Sequence, residues 1–258
     1  MIKRLPEIEL PVGCSGFGCE ISIITANRFI DRLYDSISDF TFLLILAGSR
    51  TAEIEGISWA GATPESRRYT AIADAELLLS GPLERRKWPL PELPAGVSPA
   101  LISYVANRFI NVSPTVLVSG LEHRPPFPHV LIDSPSMGPS NCLSTGRAMN
   151  PNRVKLLWDT GFARGVRLEK PLLLAECVPG GTTTAQAILS GLGMEVANFI
   201  SGSVLNPPVT LKKNLVERGL ALACLGENPI PLRLLSAVGD PFQAVSVGLL
   251  LGARLAGQ

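Results

Sequence analysis

Residues 171–193, PLLLAECVPGGTTTAQAILSGLG, constrain the fold more than any other part of this chain. The apolar run 172–175 reads as a buried strand. Glu176 stands where the strand runs out, a Pro-Gly-Gly turn follows, and a helix opens on Thr182, Thr183 and Thr184 and ends at Gly193. A helix start offers backbone N–H groups and partial positive charge, while Gly180 and Gly181 let a bulky phosphate approach the main chain. The three threonines add hydroxyl donors, and Glu176 can accept from a ribose hydroxyl or take a proton. Such a unit can hold a phosphoribosyl group. Strand, glycine turn and Thr-capped helix also occur where nothing binds, so the pattern by itself leaves both readings open.

The same order recurs along the chain. Apolar runs at 42–46, 115–118, 129–132, 196–200 and 232–238 read as further strands, most of them followed by a Gly/Ser-rich loop and then a helix. Helical spacing marks 20–40, 98–110, a helix opened by Asn150-Pro151, 209–224 and 242–255. This alternation predicts an α/β fold: a mostly parallel open sheet, Rossmann-like, with helices on both faces. In the 209–224 helix, Leu211, Leu215, Val216 and Leu220 are expected inward, and Lys212, Lys213, Glu217 and Arg218 outward. A crossover helix in such a sheet is normally followed by another strand, so a chain stopping at Gln258 reads as a fragment without its C-terminal portion.

Composition excludes several function classes. With 258 residues, 46% hydrophobic and 17% charged, the chain can bury one substantial core, so 1–258 is expected to form a single α/β domain. The net charge is +1 and no basic stripe with interleaved aromatics appears, which argues against nucleic acid. The most apolar run, 244–255, is short of the ~20 residues a membrane helix needs. Cys14, Cys19, Cys142, Cys177 and Cys224 lack metal-ligand spacing and suit a reducing cytoplasm. Neither Gly-x-x-x-x-Gly-Lys-Ser/Thr nor Gly-x-Gly-x-x-Gly occurs, so an ATPase or nicotinamide dehydrogenase is disfavoured and no cofactor or metal is called for.

Other candidates lie at strand ends. Ser49, Arg50 and Glu53 follow the 42–46 run, where open α/β sheets place ligands; an exposed arginine closing a loop is the equal alternative. His123 and His129 are each a general base or, more simply, a loop histidine. Ser201, Gly202 and Ser203 follow 196–200, and Gly239 and Asp240 follow 232–238. The pentapeptide Ala-Asn-Arg-Phe-Ile occurs at 26–30 and 106–110 without flanking similarity, which does not support a duplication.

Taken together, these residues resemble the nicotinate-nucleotide:dimethylbenzimidazole phosphoribosyltransferase family of cobalamin nucleotide-loop assembly, most closely the branch found in archaea and cyanobacteria. The family's Glu-x-x-Gly-x-Gly-Asn-Thr-Thr-Ala-Ala-type loop is matched by Glu176, Gly180, Thr182, Thr183 and Ala185, with a threonine where the better-known branch has asparagine. Ser201-Gly202-Ser203 takes the place of a Gly-rich segment near the phosphate. Lys212 or Lys213, with Lys213 preferred, corresponds to a lysine on the next helix, and 237–241 matches a Gly-Gly-x-Glu/Asp turn. Residues 47–65 are similar to the archaeal and cyanobacterial branch. The resemblance implies phosphoribosyl transfer from nicotinate mononucleotide to an azole or purine base by a cytoplasmic homodimer, with Glu176 catalytic. Gly180 to Thr184, Ser201, Gly202, Lys213, Gly239 and Asp240 would hold phosphate and ribose, and Ser49, Arg50 and Glu53 the base. The classical enzymes' azole base lies in a C-terminal portion that has no counterpart here. A binding or regulatory protein that keeps a nucleotide-monophosphate pocket is therefore the alternative.

Overall fold

The computed structural model describes residues 23–82, 86–90, 98–201 and 206–258. Cys14, Cys19, Gly202 and Ser203 lie outside the described residues. The chain clusters into two compact units, 1–40 and 41–258. The described part of the first is helix α1 (Ile23–Asp35), which carries Phe29 and Leu33 four residues apart and both exposed.

In the second unit the order is β1 (Thr41–Ala47), a 3-10 turn (Arg50–Glu53), α2 (Pro64–Arg67), α3 (Thr70–Ser80), α4 (Pro99–Ile110), β2 (Thr115–Ser119) and β3 (Val130–Leu131). There follow α5 (Pro151–Gly165), β4 (Leu172–Cys177), α6 (Gly181–Gly191), α7 (Val209–Ala223), α8 (Pro231–Val238) and α9 (Pro241–Leu255). The four strands form one all-parallel sheet in the order β3-β2-β1-β4. β1 is central, with Phe42 to Ala47 all buried, as a parallel strand covered on both faces requires.

Alternation along the strands divides the two layers. Leu43 and Ile45 join Leu117, Val154, Leu157, Val245 and Leu249 in the core beneath α5, α8 and α9. Phe42 and Leu44 point the other way, where α3 packs on β1 and β4. α5 and α9 meet backbone to backbone. A Cβ added at Gly161 would stand 2.1 Å from the Val245 carbonyl oxygen, and one at Gly248 would stand 2.2 Å from that of Trp158. Four glycines (161, 165, 248 and 252) thus let two fifteen-residue helices cross in close contact.

Several predicted elements hold. Ser98 and Asn150 cap α4 and α5, accepting from Ala100 N and Asn152 N. Two of the predicted strands are helical instead. Residues 232–238 lie in α8, opened by Pro231 at its first turn and closed at Gly239, with Leu234 to Val238 all buried. A short apolar run buried all round has no period of two to hold it extended, so flanking proline and tertiary packing decide. Residues 196–200 contain only a 3-10 turn, Ala197–Phe199, with Phe199 84% exposed. Among the described strands β4 therefore forms one sheet edge, with β3 the other, and its residues are half-buried or exposed rather than buried as expected, because an edge strand is covered on fewer sides. Among the described residues no helix is long and apolar enough to cross a membrane.

Candidate functional site

The turn after β4 places Gly180 in the left-handed region, φ 77°, where it serves as the N-cap of α6 without a side-chain cap. The helix-start donors are not all free: Gly181 N–H donates to Val178 O, and the N–H groups of Thr183 and Thr184 donate to Gly180 O. The helix turn also separates the threonines. Thr182 is exposed, whereas Thr183 and Thr184 are fully buried. The Thr183 hydroxyl has no partner among the described residues. That of Thr184 donates to Asp240 Oδ2 at 2.5 Å and also lies 2.9 Å from Gly181 O. Of the three hydroxyls expected at a phosphate, only that of Thr182 faces outward.

A lysine completes this end of α6. Lys212 on α7 is 1% exposed and its Nζ donates to Thr182 Oγ1 at 2.9 Å and to the Ser201 carbonyl. Burial lowers its pKa from 10.5 to about 8. This corrects two expectations. Lys212 lies on the inward seam of α7 with Val216 and Gly219, while Lys213 lies on the outer face with Glu217 at 3.8 Å. The reason is helical phase: positions 212, 216 and 219 share one face, and the long lysine stem packs there while its ammonium reaches the α6 start. The signal in the sequence was this seam of one lysine with small and apolar residues.

Two carboxylates stand behind the turn. Asp240 N-caps α9, accepting from Gln243 N at 3.1 Å, while Gln243 Oε1 accepts from Asp240 N at 3.1 Å. Asp240 is 1% exposed, and burial raises its pKa against the pull of Thr184 and two backbone donors. It is thus tied to Thr184 in the interior and does not line the cleft described below. Gly239, also buried, is small because a Cβ would stand 2.7 Å from Leu235 O. Glu176 borders a cleft at the carboxyl end of β4. Burial first, and the Asp240 charge second, raise its pKa from 4.5 to about 7, against a hydrogen bond from the Val178 backbone. Its side chain retains solvent contact through the cleft, so it can exchange a proton near neutrality.

This cleft has a volume of about 360 Å³. Phe42, Leu44, Leu78 and Ala175 supply apolar wall; Glu176 and Gly180 to Thr182 lie at one end and Asp74, Ser98 and Cys177 along its side. Asp74, Ser98 and Cys177 were not among the sequence-derived candidates. Asp74 falls on α3 and Ser98 at the cap of α4, positions that no motif or spacing in the sequence marks as a site.

The remaining candidates lie apart from it. Ser49 is 6% exposed, and its Oγ accepts from Thr51 N at the start of the 3-10 turn. Arg50 pairs with Glu53 at 3.0 Å, and Glu53 also meets Arg68 at 3.2 Å. Ser49 and Glu53 border a cavity of only about 20 Å³. His123 stacks on Trp88 with centroids 4.5 Å apart, and His129 Nδ1 lies 2.8 Å from Phe127 O; neither borders the cleft. Among the described residues no group of three or more His, Cys, Asp or Glu is placed to hold a metal ion.

No protein-family model matches the chain. It is 58% identical over 253 residues to a UPF0284 protein of Prochlorococcus marinus (strain MIT 9313), covering 98% of this chain and 63% of the relative. It is 55% identical over 251 residues to UPF0284 protein SYNW1869 of Parasynechococcus marenigrum (strain WH8102), covering 97% of this chain and 64% of the relative. The chain thus spans just under two thirds of the length of these curated relatives. Among solved structures, CobT from Thermus thermophilus superposes with a TM-score of 0.60 at 20% identity, over 84% of this chain and 60% of that one. A second structure, described as the nicotinate-nucleotide-dimethylbenzimidazole phosphoribosyltransferase of the same organism, gives 0.60 at 21% identity, over 84% and 59%. Over nearly its whole length the chain is thus similar to UPF0284 proteins of cyanobacteria, and it shares the α/β fold of CobT.

Proposed function

We propose that this protein contributes to transfer of a 5-phosphoribosyl group from nicotinate mononucleotide to a heteroaromatic base, in cobalamin nucleotide-loop assembly, a reading supported by a fold neighbour named as a nicotinate-nucleotide-dimethylbenzimidazole phosphoribosyltransferase. One observation carries the reading: the ammonium of Lys212, buried with no carboxylate at ion-pair distance among the described residues, meets Thr182 at the start of α6. A buried cation beside a helix N-terminus is electrostatically incomplete until an anion arrives. A monophosphate at Thr182, with Gly180 and Gly181 giving close access, supplies that charge.

Phosphate there directs the ribose toward Glu176 and the base into the cleft. The volume of about 360 Å³ accommodates a bicyclic ring, whereas the cavity of about 20 Å³ beside Ser49 and Glu53 does not. In the transfer, the bond from the anomeric carbon to the nicotinate nitrogen breaks and its electron pair leaves with nicotinate, while an acceptor ring nitrogen forms the new bond with its lone pair and the acceptor's ring N–H proton passes to solvent. The cationic ribosyl transition state gains from ionised Glu176 nearby, and positioning by the phosphate lowers the entropic barrier. Asp240 holds Thr184 and keeps α6 and α9 in register beneath that carboxylate.

A homodimer in a reducing cytoplasm is part of this proposal, supported by free Cys142, Cys177 and Cys224 for the compartment and by the fold likeness for the assembly. Light scattering checks the dimer. The function itself is tested by nicotinate release from nicotinate mononucleotide, with dimethylbenzimidazole or adenine as acceptor, using this chain and a full-length relative. Saturable binding with no release by either protein would leave a nucleotide-monophosphate-binding protein, and no binding would remove the phosphoribosyl reading.

A further inference from the structure

We propose that Asp74, held by Ser98 and Cys177, is a specificity-determining residue that selects an acceptor base carrying an amino N–H donor over one whose corresponding edge is hydrocarbon. This rests on the cleft being the acceptor slot of the phosphoribosyl reading.

The two carboxylate oxygens of Asp74 are unequally satisfied. Ser98 Oγ donates to Oδ1 at 2.6 Å while itself accepting from Ala100 N, so one oxygen is fixed to the start of α4. Among the described residues Oδ2 receives only the Cys177 thiol, at 3.6 Å. A thiol is a weak donor, and a carboxylate oxygen has capacity for more than one hydrogen bond. The nearby guanidinium of Arg86 is engaged by Glu76 at 3.3 Å. Asp74 therefore presents an under-satisfied acceptor on a cleft wall otherwise built from Phe42, Leu44, Leu78 and Ala175. Burial raises its pKa, while Ser98, Cys177 and the Arg86 charge oppose that rise, and a further donor at Oδ2 would act in the same direction as these three.

Sites built to hydrogen-bond a ligand donor reject analogues lacking it, because the buried polar group is then left unpaired. An amino-substituted purine offers that donor on a flat apolar ring. Unsubstituted purine keeps the ring and lacks the donor, and dimethylbenzimidazole replaces it with methyl groups.

Titration calorimetry on this chain with adenine, purine and dimethylbenzimidazole tests the proposal. Adenine is expected to bind about tenfold to a hundredfold more tightly than purine. Asp74→Asn should reduce that ratio to near one, and Asp74→Leu should turn the preference toward dimethylbenzimidazole, a reversal that a merely structural role would not produce. Affinity for inorganic phosphate, read at the Lys212 end, should stay within about twofold in both variants and so reports a folded site. Equal binding of the three bases, no binding of any, or an unchanged preference in the variants would overturn the proposal. A wild-type protein that binds adenine selectively but no phosphate would defeat the phosphoribosyl reading and leave the preference of Asp74 for an amino donor standing.

Discussion

Lys212 Nζ donates to Thr182 Oγ1 across 2.9 Å, from a side chain only 1% exposed on a neighbouring helix. This contact joins α7 to the start of α6 and sets the charge of the candidate phosphate end. Replacing the ammonium by a thioether of similar length, Lys212→Met, should weaken monophosphate binding by roughly 1.5–3 kcal/mol, the range for a hydrogen bond to a charged group. The same change should leave the melting temperature equal or higher, since a buried charge is removed. Calorimetry with inorganic phosphate and a thermal melt together check both directions.

The depressed pKa of Lys212 also gives a pH signature. Its ordinary value is 10.5 and its folded value about 8. Between these, the unfolded chain holds the proton more tightly, so this group's contribution to stability increases as pH rises from about 8 to 10.5. Phosphate binding should fall over the start of the same window. Lys212→Met should abolish both trends, as measured by denaturant titration and calorimetry at about pH 7, 8 and 9.

Glu176 carries the opposite sign. With its pKa raised from 4.5 to about 7, the folded state binds the proton more tightly, so stability is lost as pH rises through 4.5 to 7. Glu176→Gln should flatten that fall. Because the group keeps solvent contact, the effect on melting at about pH 8 should be small, roughly a degree or two. If Glu176 stabilises the ribosyl cation, transfer by the wild type should rise with an apparent pKa near about 7, and the Gln variant should lose that inflection along with rate.

Gly180 combines φ 77° with close approach, since an added Cβ would stand 3.0 Å from Ala52 N. Gly180→Ala should therefore cost about 1–3 kcal/mol of stability before any ligand is considered. A drop in melting temperature without ligand is the expected outcome. An unchanged melt would show that the turn relaxes freely.

The α5–α9 crossing makes a separate prediction about the scaffold. Gly161→Ala puts a methyl 2.1 Å from Val245 O, with backbone on the far side and no flexible side chain to yield. The loss should be about 2–3 kcal/mol, or several degrees of melting temperature. Equal stability of the variant would mean that the helices separate at little cost.

The sequence alone determined the order of apolar strand, glycine turn and helix at 172–193, and it marked β1, buried on both faces, as an uninterrupted apolar run, while Ser98 and Asn150 announced helix starts. It located Glu176 and the glycine turn for the same local reason. Only the tertiary structure decided that 232–238 is α8, since a short apolar run buried all round fits either period. Likewise it alone chose Lys212 over Lys213, which depends on the phase of α7 against α6, and made Thr182 the one outward hydroxyl of its cluster. The meeting of Asp74, Ser98 and Cys177, residues from α3, the α4 cap and β4, is a long-range contact that no local pattern encodes. Local propensity fixes what each segment becomes, but which side chains share a cleft is fixed by how the packed layers bring distant segments together.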